Sequence, residues 1–283
     1  MPYRFTHHAA AFVFVAILVA FWPSYFGQLG DAPLAFHSHA IIASGWVLLI
    51  VLQSWSIHNG RLGLHRTFGR ASLVLFPLLI MTLVMIMDVS AATFAGGDPY
   101  YAVVGPVFGA ATLVAMLAYL VLITLALRYR RHVHLHSGFM VTSLFFLWEP
   151  AASRLLARYI EPFSIGGPAD FHKVVDLIAI GTAMVVPVGV YLYATNRKRG
   201  TPFLIATGFL IAQIAAVCWI ADTETFRRAF AAYAQWVPAY TASAGLALGA
   251  LAAWIGWRYP ARQAKTSASA TKGNDDCSSA VAS

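Results

Sequence analysis

Charged residues are scarce in this sequence. Asp, Glu, Lys and Arg make up only 11% of its 283 residues, whereas a soluble domain carries about 25%. That scarcity excludes an ordinary soluble protein, because too few ionised side chains remain to cover its surface. Hydrophobic residues account for 59% of the chain. The composition therefore predicts an integral membrane protein whose fold is entirely α-helical.

Cysteine is nearly absent as well. Cys218 lies inside an apolar run and Cys277 lies near the C-terminus, so the sequence predicts no disulfide framework. Two other signatures are missing, a Gly-rich phosphate-binding loop and the HExxH motif of zinc proteases. Any function must therefore be built from helices and their short connections.

Apolar runs of about 20 residues fill most of the sequence, and each is long enough to cross ~30 Å of hydrocarbon as a helix. Eight runs can be marked, which predicts a transmembrane bundle of about eight helices. Seven helices are the alternative, if the first or the last run lies outside the bundle. The runs cover residues 9–29, 36–57, 71–90, 101–127, 138–159, 174–194, 203–221 and 237–257.

The charges of the connections alternate along the chain. Basic residues follow the second, fourth, sixth and eighth runs, for example Arg61, Arg130, Arg197 and Arg258, whereas the intervening connections are acidic. Basic loops mark the cytoplasmic side of a membrane, so both termini are predicted to be cytoplasmic. The same rule accounts for the net charge of +8, and no nucleic-acid partner is expected.

The end of the chain differs from the rest in composition. Residues 1–259 are predicted to form the helical bundle, in contact with the lipid bilayer. Residues 260–283 consist mainly of Ala, Ser, Thr, Lys and Asp without apolar periodicity. Such a segment has too little apolar surface to fold, and it is predicted to be a disordered cytoplasmic tail.

The fifth apolar run carries unusual polar residues near its middle, at Glu149, Pro150 and Arg154. A charge at that depth costs about 3 kcal/mol on insertion scales, and it is retained where a partner or a wet cavity compensates. Glu149 and Arg154 are therefore the predicted catalytic pair, as a proton site with an anion-binding group. The alternative is an ion pair that only sets helix packing.

A second group of candidates lies toward the predicted outer face. It contains His39 at the start of the second run, Asp88 at the end of the third, and His172 with Asp176 at the start of the sixth. His172 and Asp176 are four residues apart, so a helix places them on one face, where the carboxylate can orient the imidazole. These four residues are the predicted metal ligands.

A third group lies toward the predicted cytoplasmic face. His65 precedes the third run and His136 leads into the fifth. Haem in a helical bundle needs axial histidines from two facing helices. His65 and His136 are therefore the predicted cofactor-binding pair, for haem b or for a divalent metal ion. The sequence leaves open whether any cofactor is bound.

Short motifs around these histidines resemble those of a bacterial family of polytopic membrane proteins known only as a domain of unknown function. They are the sequence His-Arg-x-x-Gly-Arg at residues 65–70 and His-x-x-x-Met at residues 136–140, followed by Arg154. The similarity covers about residues 36–160, and Phe139 stands where the pattern has Trp. The resemblance implies a bacterial inner membrane and roles for His39, His65, His136 and Arg154. It implies no activity.

Three functions fit this set of residues. The first is binding of haem b or a metal ion for electron transfer, with a quinone or another small molecule as partner. The second is a proton-coupled transporter centred on Glu149 and Arg154. The third is a membrane-embedded, metal-dependent lipid hydrolase. The sequence decides neither between these functions nor whether the protein is an enzyme, and the oligomeric state stays open.

Overall fold

The computed structural model describes residues 2–261, and every regular element among them is helical, as predicted. The predicted tail therefore lies almost entirely outside the described residues. The α-helices are α1 (Thr6–Phe21), α2 (Leu34–His58), α3 (Leu62–Ala95), α4 (Pro99–Arg128), α5 (Val133–Thr142), α6 (Phe145–Tyr159), α7 (Lys173–Ala183), α8 (Val186–Thr195), α9 (Thr201–Ala215), α10 (Glu224–Tyr233) and α11 (Pro238–Arg258).

Six helical segments are long and apolar enough to cross a membrane, which gives a multi-pass architecture. They are Leu34–His58, Leu62–Ala95, Pro99–Arg128, Lys173–Thr195, Thr201–Ile220 and Pro238–Arg258. The first predicted run forms α1, which has only 16 residues. The fifth run is divided between α5 and α6. The structure therefore supports six spans by length and composition rather than the predicted eight.

The centre of the bundle is formed by α3 and α4. Helices α2 and α11 pack along α3, and α9 packs along α4. Trp46, Phe76, Leu79 and Leu122 are almost fully buried where α2, α3 and α4 meet. Bulky apolar side chains thus fill the middle of the bundle, whereas many apolar side chains on the outer helices are exposed.

Helix α11 lies very close to its neighbours because it presents small residues to them. Gly245 and Gly249 face α3, and Gly256 faces α4. A Cβ atom on Gly249 would lie only 2.7 Å from the Cα atom of Pro77. Small residues four apart allow such backbone contact between membrane helices, and packing rather than a hydrophobic driving force then holds the pair together.

The connections collect at two ends of the bundle, which we name by charge. At the basic end, Arg199 lies 2.8 Å from Nε2 of His134, and Arg130 donates to the Gly256 carbonyl at 3.5 Å. At the acidic end, Lys173 pairs with Asp170 at 2.8 Å. Segments that are distant in sequence therefore meet at the basic end, and the side of the membrane that each end faces stays a prediction.

Two of the predicted runs contain one irregular turn near their middle. Helix α5 ends at Thr142 and α6 begins at Phe145, and α7 ends at Ala183 shortly before α8 begins at Val186. The residues between these helices keep right-handed helical backbone angles, so Lys173–Thr195 still counts as a single span. At the first of these turns the Ser143 hydroxyl accepts a hydrogen bond from Trp46 Nε1 at 3.2 Å, and the Ser143 carbonyl accepts one from the Tyr119 hydroxyl at 3.0 Å.

The close approach of α11 predicts a strong effect of one methyl group. Gly249→Ala forces a Cβ atom against the α3 backbone, and we expect a loss of about 1–3 kcal/mol of stability, as for other overpacked sites. Gly208→Ala on α9 is the matched control, because a Cβ atom there meets open space. Thermal unfolding in detergent measures both variants. Equal melting temperatures for the two variants would contradict the α3–α11 contact.

The Lys173–Asp170 pair predicts a pH dependence at the acidic end. The Lys173 ammonium, at 2.8 Å, and the Gly166 N–H, at 2.9 Å, hold the pKa of Asp170 below its usual range. The stabilisation is therefore complete at neutral pH and is lost as the pH falls below about 4. Below about pH 4, backbone amide hydrogen exchange of residues 164–173 should become faster than the pH dependence of the intrinsic exchange rate alone predicts. Asp170→Asn should show fast exchange already at pH 7, and unchanged protection in that variant would contradict the assignment.

Candidate functional site

A cavity of about 400 Å³ opens near the acidic end of the bundle. It is bounded by the end of α1, the turn of 3₁₀-helix at Phe26–Asp31, the start of α2 and the middle of α6. Its lining contains aromatic rings together with polar side chains. Arg154, His39 and Tyr101 lie in this wall, and so does Pro150.

Arg154 is the cationic group of the cavity. Its guanidinium donates to the Pro150 carbonyl at 2.9 Å and lies 4.1 Å from the centre of the Phe21 ring. Both contacts hold the side chain without neutralising it. Arg154 forms no ion pair with any carboxylate in the described part of the chain, and its side chain is exposed to the cavity. It can therefore bind an anion that enters.

Glu149 lies on the same helix but outside the lining of the cavity. Its side chain is buried, with Ser153 as a hydrogen-bonding neighbour. Gly181 of α7 packs against this turn, and a Cβ atom there would lie 3.3 Å from the Glu149 carbonyl. Glu149 and Arg154 interact electrostatically without ion-pair contact. The predicted pair thus consists of one group in the cavity and one buried behind it.

His39 joins Arg154 in the wall of the cavity. Its Nδ1 atom lies 3.3 Å from the hydroxyl of Thr82 on α3, which orients the ring. His37, two residues earlier, instead lies 2.8 Å from the Tyr25 hydroxyl. The two histidines therefore occupy different environments, as expected for residues about 200° apart around a helix.

The four predicted metal ligands are not brought together. Asp88 accepts hydrogen bonds from the hydroxyls of Tyr233 and Thr241, so it fastens α10 and α11 to α3. His172 and Asp176 are both exposed, and the His172 ring bonds the Ala169 carbonyl at 2.8 Å. Within residues 2–261, no three His, Cys, Asp or Glu side chains form a metal-binding group. The four residues thus take part in different contacts, and a metal site built from them stays a prediction.

His65 and His136 do approach each other at the basic end, since their rings interact electrostatically. His136 Nδ1 lies 2.8 Å from the Ala126 carbonyl, while His65 Nδ1 is buried without a hydrogen-bond partner. The sequence thus predicted two histidines that the fold brings into the same region. Whether they hold haem stays a prediction.

Several residues of the cavity were missed by the sequence prediction. Phe21, Tyr25 and Tyr101 form part of its lining, but in the sequence they are indistinguishable from the aromatic residues that usually lie at a membrane interface. Asp31 also lines the cavity and is exposed. Only the fold, which returns α1 and α6 to the start of α2, brings these residues together.

Comparison with known proteins gives no match, whether to a protein family, to a curated protein or to a solved structure. The resemblance suggested by the short histidine motifs is therefore untested.

The contacts of Asp88 predict a structural role. The Tyr233 and Thr241 hydroxyls donate to different oxygens of Asp88, so Asp88→Asn removes the charge and replaces one of these acceptors with an amide donor. We expect a loss of about 1–3 kcal/mol, because hydrogen bonds to a charged group contribute that much. Asp222→Asn is the control, since that exposed carboxylate bonds Arg227 at 3.3 Å on the surface, where an ion pair contributes at most about 1 kcal/mol. Thermal unfolding in detergent compares the stability of the two variants. If Asp88→Asn were as stable as Asp222→Asn, the fastening role would be contradicted.

Proposed function

We propose that this protein binds a small organic anion in the cavity at the acidic end and carries it across the membrane. Arg154 holds the anionic group, and Glu149 is the proton-binding carboxyl behind it. The observation that carries the proposal is the position of Arg154, which faces a cavity inside an apolar bundle and forms no ion pair with a carboxylate among residues 2–261. Ionised side chains in such positions commonly mark substrate or ion pathways.

The walls of the cavity favour an anion with an apolar body. Phe21, Phe36 and Leu147 provide apolar surface, while Tyr25 and Ser44 provide hydroxyls. A cavity of about 400 Å³ lies within the range of small-molecule sites, which are mostly apolar with a few polar groups that fix orientation. Aromatic or short-chain carboxylic acids match this combination.

The two irregular turns favour transport over static binding. Many transporters place discontinuous helices around a site near the middle of the membrane. Here α6 carries Glu149 and Arg154, begins directly after the irregular turn at Ser143, and packs against α7, which ends at the second irregular turn. A unit of α6 and α7, with one such turn at the start of α6 and one at the end of α7, is suited to rocking against the rest of the bundle.

The membrane topology completes the proposal. We infer that α1 and the α5–α6 segment also cross the bilayer, which gives eight crossings. Under the positive-inside rule the basic end then faces the cytoplasm, and the cavity opens to the opposite side. Localisation in a bacterial inner membrane agrees with the resemblance of the histidine motifs.

The other two functions have less support. A metal-dependent lipid hydrolase needs about three ligands around one ion, and the predicted ligands lie apart. Electron transfer through haem depends on the His65–His136 pair, and it remains a prediction. Neither function uses the cavity at Arg154.

The test is ligand-induced thermal stabilisation of the purified protein in detergent. Benzoate, phenylacetate and hexanoate are the probes, with benzamide and benzylamine as uncharged and cationic analogues. We expect stabilisation by the acids alone. Arg154→Gln should weaken their binding about 10- to 100-fold, because a charge-assisted hydrogen bond is lost. Arg158→Gln, an exposed arginine one turn further along α6, is the matched control.

The outcomes separate binding from transport. In proteoliposomes with a pH gradient, Glu149→Gln should retain acid binding and lose proton-driven uptake of the acid. Equal stabilisation by benzoate in Arg154→Gln and Arg158→Gln, or no stabilisation by any acid, would contradict the anion site. Full proton-driven uptake by Glu149→Gln would contradict the role of the carboxyl.

A further inference from the structure

Several buried polar atoms of the described residues lack a hydrogen-bond partner. Two of them, Gln53 Oε1 and His65 Nδ1, lie at the basic end, opposite the cavity. A buried polar atom that lacks a hydrogen bond costs about 1–3 kcal/mol, so native structures usually provide it with a partner. Two such atoms on neighbouring helices indicate a shared ligand.

Gln53 and His65 face each other between α2 and α3. The Gln53 amide packs against Gly69, where a Cβ atom would lie 3.4 Å from Nε2. Gly69 is four residues after His65, so the two positions share a helix face. The His65 ring is also hydrogen-bonded to the Gln53 backbone. The side-chain oxygen of Gln53 and the free nitrogen of His65 therefore lie in the same crevice.

His136 brings a third acceptor from α5. Its Nδ1 atom lies 2.8 Å from the Ala126 carbonyl, and since a carbonyl only accepts, Nδ1 carries the ring proton. In the neutral imidazole the lone pair is then on Nε2. The ring interacts electrostatically with that of His65, so three acceptors come from three helices. Donation of the other ring nitrogen to a backbone carbonyl is the usual arrangement of a metal-binding histidine.

We propose that Gln53 Oε1, His65 Nδ1 and His136 Nε2 bind a divalent transition-metal ion, such as Zn²⁺, with water completing the coordination. This site is independent of the anion-binding proposal. Imidazole nitrogen suits such ions, and an oxygen ligand completes a three-ligand open site. The three named atoms are all acceptors, which favours a cation as the ligand.

One neighbouring charge limits the affinity of this site. Arg130 acts electrostatically on His136, but its guanidinium is engaged elsewhere. It donates to the Leu127 carbonyl at 3.1 Å and lies 4.5 Å from the centre of the Trp257 ring. Its positive charge disfavours a bound cation. The site should therefore bind more weakly than a closed structural zinc site with four anionic or imidazole ligands.

The test is equilibrium binding of Zn²⁺ to the full chain in detergent, with Co²⁺ absorption as a spectroscopic probe of the ligands. We expect one Zn²⁺ per chain at this site. His65→Ala, His136→Ala and Gln53→Met should each lower the affinity at least tenfold. Arg130→Gln should raise it, an effect that a purely structural role of the histidines does not produce.

His172→Ala is the matched control. The His172 ring also bonds a backbone carbonyl, but it is exposed at the acidic end, so its removal should leave Zn²⁺ affinity unchanged. Thermal unfolding without metal identifies any variant that fails to fold. The Zn²⁺ affinities of the variants that do fold then test the proposal. The proposal is overturned if wild-type protein binds no Zn²⁺, if His65→Ala and Gln53→Met bind it as wild type does, or if only His172→Ala loses it.

Discussion

The contacts of Arg154 are the constraint from which the proposed function follows. A guanidinium inside an apolar bundle is costly unless water or a partner reaches it. Here the Pro150 carbonyl and the Phe21 ring hold it, and the cavity gives it access to solvent. The charge is thus oriented, and no carboxylate in the described part of the chain forms an ion pair with it. Such an arrangement leaves the guanidinium able to pair with an anion that enters the cavity.

The bundle combines a tightly packed part with a less regular part. Helices α3, α4 and α11 meet through small residues such as Gly249 and Gly256, so their backbones lie in contact. The irregular turns after Thr142 and Ala183 instead divide two apolar segments. Helix α6, which carries Arg154, belongs to this less regular part.

The sequence predicted the helical fold and the two ends of the bundle, because apolar runs and loop charge follow directly from the membrane as solvent. It also predicted Arg154 and His39 as functional residues, and both line the same cavity. It could not show that Glu149 faces away from that cavity, because helix rotation is set by packing against α7. It missed the amphipathic helix α10 and its hydrogen bond to Asp88. It also grouped Asp88, His172 and Asp176 as ligands of one metal site. The position of a residue in the sequence indicates its depth in the membrane, but it does not show which residues of other helices lie beside it.

An anion-binding cavity requires a positive electrostatic potential near Arg154, and cysteine modification measures the sign of that potential directly. Ala43 lines the cavity and can be replaced by Cys in a chain whose Cys218 and Cys277 are changed to Ser. Two methanethiosulfonate reagents are then compared, one with an anionic sulfonate and the other with a cationic trimethylammonium group. The rate at which each reagent modifies the introduced cysteine is divided by its rate with a free thiol in solution, and the ratio of the two values reports the local electrostatic potential. We predict faster modification by the anionic reagent, and loss of that preference when Arg154→Gln is added. Faster modification by the cationic reagent, or a preference unaffected by Arg154→Gln, would contradict an anion-binding cavity governed by Arg154.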